Sequence, residues 1–234
     1  MRFSYNVFVV NRRYAMNKKS VVIFDFDGTI VDSNQLEHQA LLNTIHEYGF
    51  EEINDSNLEN HFGPTESGIL KNILGEDLFP EAWAFFIEDY LRLQEELLVK
   101  IPGMDDLLLS LSKKQDLLLL LVTGRSKETA DISLDYLGYD KYFGKVYTGS
   151  DEGINKDENI EKLLEDFGLE KENIVYVGDT LADIKTMKAI GIDIITVSYS
   201  QYDKNNKDQL EEDNPGNVVN SIQELETKLI EITK

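Results

Sequence analysis

Five short strand-like runs alternate with helix-patterned segments, and that alternation restricts this chain more than any other feature. The runs are residues 21–24, 117–122, 145–148, 174–177 and 194–197. All but 145–148 and 194–197, which Thr196 interrupts, are continuously apolar, the pattern of a strand buried on both faces. Segments 105–113, 128–137, 160–167, 184–190 and 221–232 carry apolar residues at helical spacing, several of them closed by Gly. Strand and helix in strict alternation predict an α/β fold, a Rossmann-like doubly wound parallel sheet with right-handed crossovers.

Residues 33–99 interrupt the alternation. They hold no second buried-strand pattern and read as helices over 35–48, 56–62, 66–74 and 80–99, punctuated by Gly63-Pro64-Thr65 and Gly75. Trp83, Phe85, Phe86 and Tyr90 read as the apolar interior of this block. Ile101-Pro102-Gly103 is a rigid turn out of it. The expected organisation is a leader over 1–19, a core built from 20–32 and 100–234, and an inserted all-helical domain over 33–99. Residues 198–216 are polar and acidic and read as a loop with about one helical turn.

Composition excludes several function classes. The 234 residues include no Cys, so neither a disulfide framework nor a thiolate metal site can form; that suits a reducing compartment, and a cytoplasmic location is expected. The formal net charge of −21 repels polyanions, which argues against nucleic acid as a general partner. No run approaches the roughly 20 apolar residues needed to span a bilayer. The leader carries Arg2, Arg12 and Arg13 but lacks the order of a signal peptide. Residues 3–10 show partial strand alternation, and Met16 is an alternative start. Oligomeric state is not legible.

The polar residues that bear chemistry cluster at strand ends. Asp25 and Asp27 stand at i and i+2 where the first run ends, so an extended backbone points both the same way. Gly28 follows and permits a sharp turn. Thr123-Gly124 follows the second run, and Gly178-Asp179 with Asp183 follows the fourth; Lys156 lies between the third and fourth. Each has an ordinary reading as a turn, a solvated lysine or a helix-start acid. Three of the four follow buried strands directly, so they fall on one sheet edge, where open α/β sheets bind ligands.

These residues, in this order, resemble the four motifs of the haloacid dehalogenase superfamily: DxDGT at Asp25–Thr29, a strand-terminal Thr123, Lys156, and GDxxxD at Gly178–Asp183. The resemblance runs from Ser20 to the end of the chain. It implies a Mg²⁺-dependent phosphatase acting on small phosphorylated metabolites, similar to phosphoglycolate phosphatases. Asp25 would be the nucleophile, and Asp27 the acid and base. Asp25, Asp179 and the main-chain carbonyl of Asp27 would hold the metal, with Asp183 an additional ligand or a residue orienting Lys156. Thr123, Gly124 and Lys156 would hold the phosphate. The residue after Lys156 is Asp157 where many relatives carry Pro, and Lys145 is the alternative lysine.

The helical block resembles a C1-type cap, whose loop at 62–66 implies substrate contact by Thr65 or Glu66; Thr65 also reads as a helix cap. A sugar-phosphate mutase resembling β-phosphoglucomutase is the first alternative, though Glu37 stands where those relatives carry His. A non-catalytic binding protein is the second, disfavoured by the intact acid pair. Asp27 argues against a dehalogenase proper. His38, His46 and His61 lack metal-ligand spacing.

Overall fold

A computed structural model describes residues 19–153, 156–200 and 207–233. Residues 1–18, and with them nearly all of the leader, its strand-like stretch and Met16, lie outside the described residues. In chain order the elements are β1 (Val21–Phe24), β2 (Val31–Asp32), α1 (Asn34–Glu47), α2 (Glu66–Leu74), α3 (Phe79–Leu97), β3 (Val99–Lys100), α4 (Met104–Ser112) and β4 (Leu118–Val122). They continue with α5 (Lys127–Leu137), β5 (Val146–Tyr147), α6 (Lys156–Phe167), β6 (Ile174–Gly178), α7 (Leu181–Ile190), β7 (Asp193–Val197), α8 (Lys207–Asp213), β8 (Val218–Val219) and α9 (Ile222–Ile232).

The main sheet is six-stranded and wholly parallel, in the order β5-β4-β1-β6-β7-β8. Period-two alternation along β1 divides the core. Val22 and Phe24 point into the layer filled by α4, α5, α9 and the helical insertion. Val21 and Ile23 point into the layer filled by α6, α7 and Leu210 of α8. Both faces of β1 are therefore dry, which explains its unbroken apolar run. Helices on both faces make the sheet doubly wound, as the alternation predicts.

Helices α1, α2 and α3 occupy the interval between β2 and β3, which pair antiparallel with Val31 opposite Lys100 and Asp32 opposite Val99. The outgoing and returning strands thus cross side by side. Inside the insertion, Trp83 stacks on Phe86 at 5.1 Å and on Phe79 at 5.9 Å, and Phe86 and Tyr90 are fully buried. Phe85 is half-buried and outside these stacks.

Three local expectations change. The helix expected over 56–62 is a single 3₁₀ turn at Leu58–His61. Asn54 and Asn57 divert the backbone: Asn57 Oδ1 accepts from the Asn54 N–H at 2.7 Å, and Asn54 Oδ1 accepts from the Ser56 N–H at 3.0 Å. The polar stretch after Ser198 holds a two-turn helix, α8, anchored by buried Leu210, and then a sixth strand, β8. Asn214 ties this segment down by donating to Ile194 O and Thr196 Oγ1. Helix α6 begins at Lys156 rather than at residue 160. Among the described residues no helix is long and apolar enough to cross a membrane.

Candidate active site

Strands β4, β1 and β6 are neighbours, so their carboxyl ends deliver Thr123, Asp25 and Asp179 side by side. Asp25 follows β1 and is buried; its N–H donates to Val177 O at 2.8 Å, and its Oδ1 accepts from the Phe26 N–H at 2.8 Å. Lys156, the first residue of α6, extends Nζ to Asp25 Oδ2 at 2.6 Å and to Asp183 Oδ1 at 2.7 Å. Asp183 spends its second oxygen in a capping box at the start of α7, accepting from Thr180 Oγ1 at 2.6 Å and the Thr180 N–H at 3.2 Å. Asp179 Oδ1 accepts from Thr29 Oγ1 at 3.3 Å. One oxygen each from Asp25, Asp179 and Asp183 lies within 4.8 Å of the others.

Two of these three buried carboxylates, Asp25 and Asp183, share the Lys156 ammonium. Burial pushes the Asp25 carboxyl up to about 7; Lys156 pulls against that, while Asp183 and Asp27 add to it. Burial would lower Lys156, but Asp183 and Asp25 hold it well above the usual lysine range. Hard oxygen donors in a buried, negatively charged cluster suit a small divalent cation such as Mg²⁺. Gly28 leaves room for this arrangement: a Cβ there would lie 2.2 Å from Asp179 Oδ2, and its φ is +70°.

The two acids of the first motif face different partners. Asp27 turns towards Arg125, whose Nε donates to its two oxygens at 2.8 and 2.9 Å and whose Nη2 lies 2.7 Å from Oδ1. Ser33 Oγ also donates to Asp27 Oδ1. Arg125 is 2% exposed. It donates through Nη1 to the Tyr90 hydroxyl, stacks over Phe26, and stands 3.8 Å from Glu37 and 3.9 Å from Glu66. Burial, with Glu66 next in weight, pushes Glu37 up to about 8. Sequence reasoning missed Arg125, although it sits directly after Thr123-Gly124.

The remaining expected residues are placed as follows. Thr123 is fully buried, and its Oγ1 accepts from the Arg125 N–H at 3.2 Å, which does not consume the hydroxyl hydrogen. A Cβ on Gly124 would stand in open space. Thr65 caps α2, accepting from the Gly68 N–H, and donates to Asp151 Oδ1 at 2.5 Å. Ser67 and Lys71 reach the same carboxylate. Burial alone would raise Asp151, but these bonds bring it down to about 2. Glu66 is buried and accepts from the Ser126 N–H at 2.7 Å and from Thr129 Oγ1 at 2.6 Å, a negative charge at the start of α5. Thr65 and Glu66 thus fasten the helical insertion to the sheet domain. Lys145 pairs with Asp166, away from Asp25, so Lys156 is the lysine the fold brings to the acids. His46 bonds Ile53 O and His38 lies 3.5 Å from Asp55, both within the insertion.

The family model described as haloacid dehalogenase-like hydrolase matches residues 22–197. A phosphoglycolate phosphatase of Aquifex aeolicus (strain VF5) is 31% identical over 173 residues, covering 73% of this chain and 81% of that relative. The pyrophosphatase PpaX of Oceanobacillus iheyensis is 24% identical over 208 residues, 88% of this chain and 94% of that protein. Among solved structures, a haloacid dehalogenase-like family protein from Streptococcus pneumoniae is similar with a TM-score of 0.67 at 24% identity, covering 90% of this chain and 98% of that one. CbbY from Rhodobacter sphaeroides, solved in complex with phosphate, has a TM-score of 0.67 at 17% identity, over 88% and 96% of the two chains.

Proposed function

This chain belongs to the haloacid dehalogenase-like hydrolases and is a phosphatase of that family, and from that premise we propose that it hydrolyses small phosphomonoesters through an aspartyl-phosphate on Asp25. The observation that carries the proposal is the Lys156 ammonium between Asp25 and Asp183, with Asp179 within 4.8 Å, at the ends of neighbouring strands.

Asp25 attacks phosphorus, and the bond to the leaving oxygen breaks as Asp27 gives that oxygen its proton. Asp27 then takes a proton from water. The resulting hydroxide attacks the same phosphorus, inorganic phosphate departs, and Asp25 is restored. The Thr123 hydroxyl and the Gly124 N–H hold the phosphoryl oxygens, and Lys156 offsets charge on nucleophile and phosphate. Asp25, Asp179 and the carbonyl of Asp27 would hold Mg²⁺. That ion would supply the positive charge an anionic nucleophile needs to approach an anionic ester. Asp183 already serves Thr180 and Lys156, which favours the role of orienting the lysine.

The reading extends to organisation. Residues 20–32 and 100–234 form the catalytic domain, and 33–99 form a cap that excludes water. The adjacent β2 and β3 support a hinge there. A cytoplasmic setting suits a Cys-free chain. Glu37 sits beside Arg125, where mutase-like relatives carry His, which supports hydrolysis over sugar-phosphate transfer.

The test is phosphate release from p-nitrophenyl phosphate and a broad panel of phosphorylated metabolites, with Mg²⁺ and with chelator. Metal-dependent release is expected, and no release from any compound refutes the proposal. A companion result is expected from Gly28→Ala. A methyl 2.2 Å from Asp179 Oδ2 displaces that carboxylate, and a misplacement of about 1 Å costs roughly 10²-fold in rate. Wild-type activity in that variant would show that Asp179 need not be where it stands.

A further inference from the structure

The start of α2 reaches across from the helical insertion and meets both sides of the turn that would hold the phosphate. On one side, Glu66 accepts from the Ser126 N–H at 2.7 Å and from Thr129 Oγ1 at 2.6 Å. Ser126 caps α5, so a carboxylate of the insertion completes the helix start that follows Thr123-Gly124-Arg125. On the other side, the Thr65 N–H donates to Ser150 O at 3.2 Å and its hydroxyl to Asp151 Oδ1 at 2.5 Å. The segment bearing these acceptors is itself tied to the phosphate turn. The Gly149 N–H donates to Arg125 O at 2.8 Å, and a Cβ on Gly149 would lie 2.2 Å from Gly124 O.

Asp151 gathers most of this contact. Its carboxylate takes Thr65 Oγ1, Ser67 Oγ and Lys71 Nζ, three donors from the start of α2. Ser67 and Lys71 stand at i and i+4, so one helix face presents both. Lys71 is braced in turn by Phe79 of α3, whose ring centroid lies 4.5 Å from Nζ. Beneath these side chains the two backbones nearly touch: a Cβ on Gly68 would lie 2.7 Å from Asp151 O and 2.9 Å from its Cα. A carboxylate holding three donors, one of them a cation, binds more strongly than a neutral pair. The side chains of Asp151 and Lys71 keep 37% and 30% of their surface, so water can take over their bonds when the two parts separate. The contact is therefore both firm and releasable.

We infer that Asp151 is a positioning residue: it clasps α2 against residues 149–151 and thereby holds the Thr123-Gly124 turn in the arrangement that receives the phosphoryl oxygens. Asp151 has no part in the proposed chemical steps. It acts through Gly149 on Arg125 O, and through α2 by seating Glu66 on Ser126 and Thr129. The inference rests on the reading of Thr123 and Gly124 as the phosphate-holding groups and of residues 33–99 as a cap. It adds that closing the cap and shaping the phosphate turn are one event.

Calorimetric titration with inorganic phosphate in Mg²⁺ tests it without requiring turnover. Asp151→Asn and Lys71→Met should each weaken phosphate binding about fivefold to tenfold, the scale of one lost charge-assisted hydrogen bond. KM for p-nitrophenyl phosphate should rise by a similar factor while kcat falls less than about twofold, the pattern of binding shared by ground and transition states. The double variant should bind no worse than the weaker single one, because both changes remove the same contact. The chain has no Cys, so nitroxides at Glu81→Cys in α3 and Lys162→Cys in α6, both exposed, report the separation of the two parts. That distance distribution should widen in Asp151→Asn and in Lys71→Met. A contact that only stabilises the fold would lower the melting temperature and leave phosphate affinity and KM at their wild-type values. That result, or an unchanged distance distribution, overturns the inference and leaves the phosphatase reaction standing. Should Asp151→Asn fail to fold, Lys71→Met decides the matter by the same readings. Wild-type protein that binds no phosphate overturns both this inference and the phosphate-holding role of Thr123 and Gly124.

Discussion

Asp25→Asn is expected to cut phosphate release by roughly 10⁴-fold or more, the scale seen when a covalent nucleophile is removed. The amide keeps the shape of the carboxylate but has no anionic oxygen to strike phosphorus. It also removes the carboxyl that burial pushes up to about 7, so the folded state loses no favourable charge it depended on. Lys156 keeps Asp183 at 2.7 Å, and the oxygen of the introduced amide can still accept from the Phe26 N–H, as the Asp25 carboxylate does at 2.8 Å. The melting temperature should therefore hold or rise slightly while activity disappears. Rapid quench with a radiolabelled phosphomonoester should trap a phosphorylated wild-type protein and none in the variant. Retained activity, with wild-type contamination excluded, would rule out covalent catalysis at this residue.

What could be read in advance, and what could not, follows from how far each feature reaches along the chain. Asp25, Asp179 and Asp183 are fixed by local rules: an acid after a buried strand, followed by a turn or a helix start. Spacing within a few residues suffices to place them on one sheet edge. Thr123 and Lys156 are legible through their order in the chain, which resembles the second and third motifs of the family, with Lys145 left as the alternative lysine. Arg125 is different. Its role arises only when Asp27 from the first loop, Glu37 from α1, Glu66 from α2 and Tyr90 from α3 converge on it, and no periodicity records that meeting. Glu66 looks in the sequence like a loop residue free to meet substrate, whereas the fold spends it on Ser126 and Thr129. Two-residue β8 is too short to leave a pattern, and its pairing with β7 supplies what its own sequence does not. The turn at Leu58–His61 stays short of a full helix because the side chains of Asn54 and Asn57 compete for the backbone, which apolar spacing does not weigh.

Arg125→Met should show the largest loss of stability. Methionine keeps an apolar stem between Phe26 and Tyr90 but withdraws the one cation that, among the described residues, pairs with Asp27, Glu37 and Glu66. Breaking a buried ion pair by removing one partner costs about 3–5 kcal/mol, because the remaining charge stays buried without compensation. Arg125 and Glu66 are almost fully buried and Asp27 is three-quarters covered, so solvent offers little relief. Arg125→Lys should recover only part of the loss, since an ammonium cannot reach both Asp27 oxygens and Tyr90 at once.

The dependence on pH gives the sign. Unpaired buried carboxylates have folded-state pKa values above their unfolded ones. The variant therefore binds more protons folded than unfolded, and its stability relative to wild type falls as pH rises. Urea midpoints should separate most at neutral pH and converge in mild acid. Arg125→Met combined with Asp27→Asn and Glu66→Gln should regain much of the stability, because two of the three orphaned carboxylates are gone. A single-variant loss under about 1 kcal/mol, the scale of an exposed pair, would mean that the guanidinium does not hold the helical insertion to the sheet.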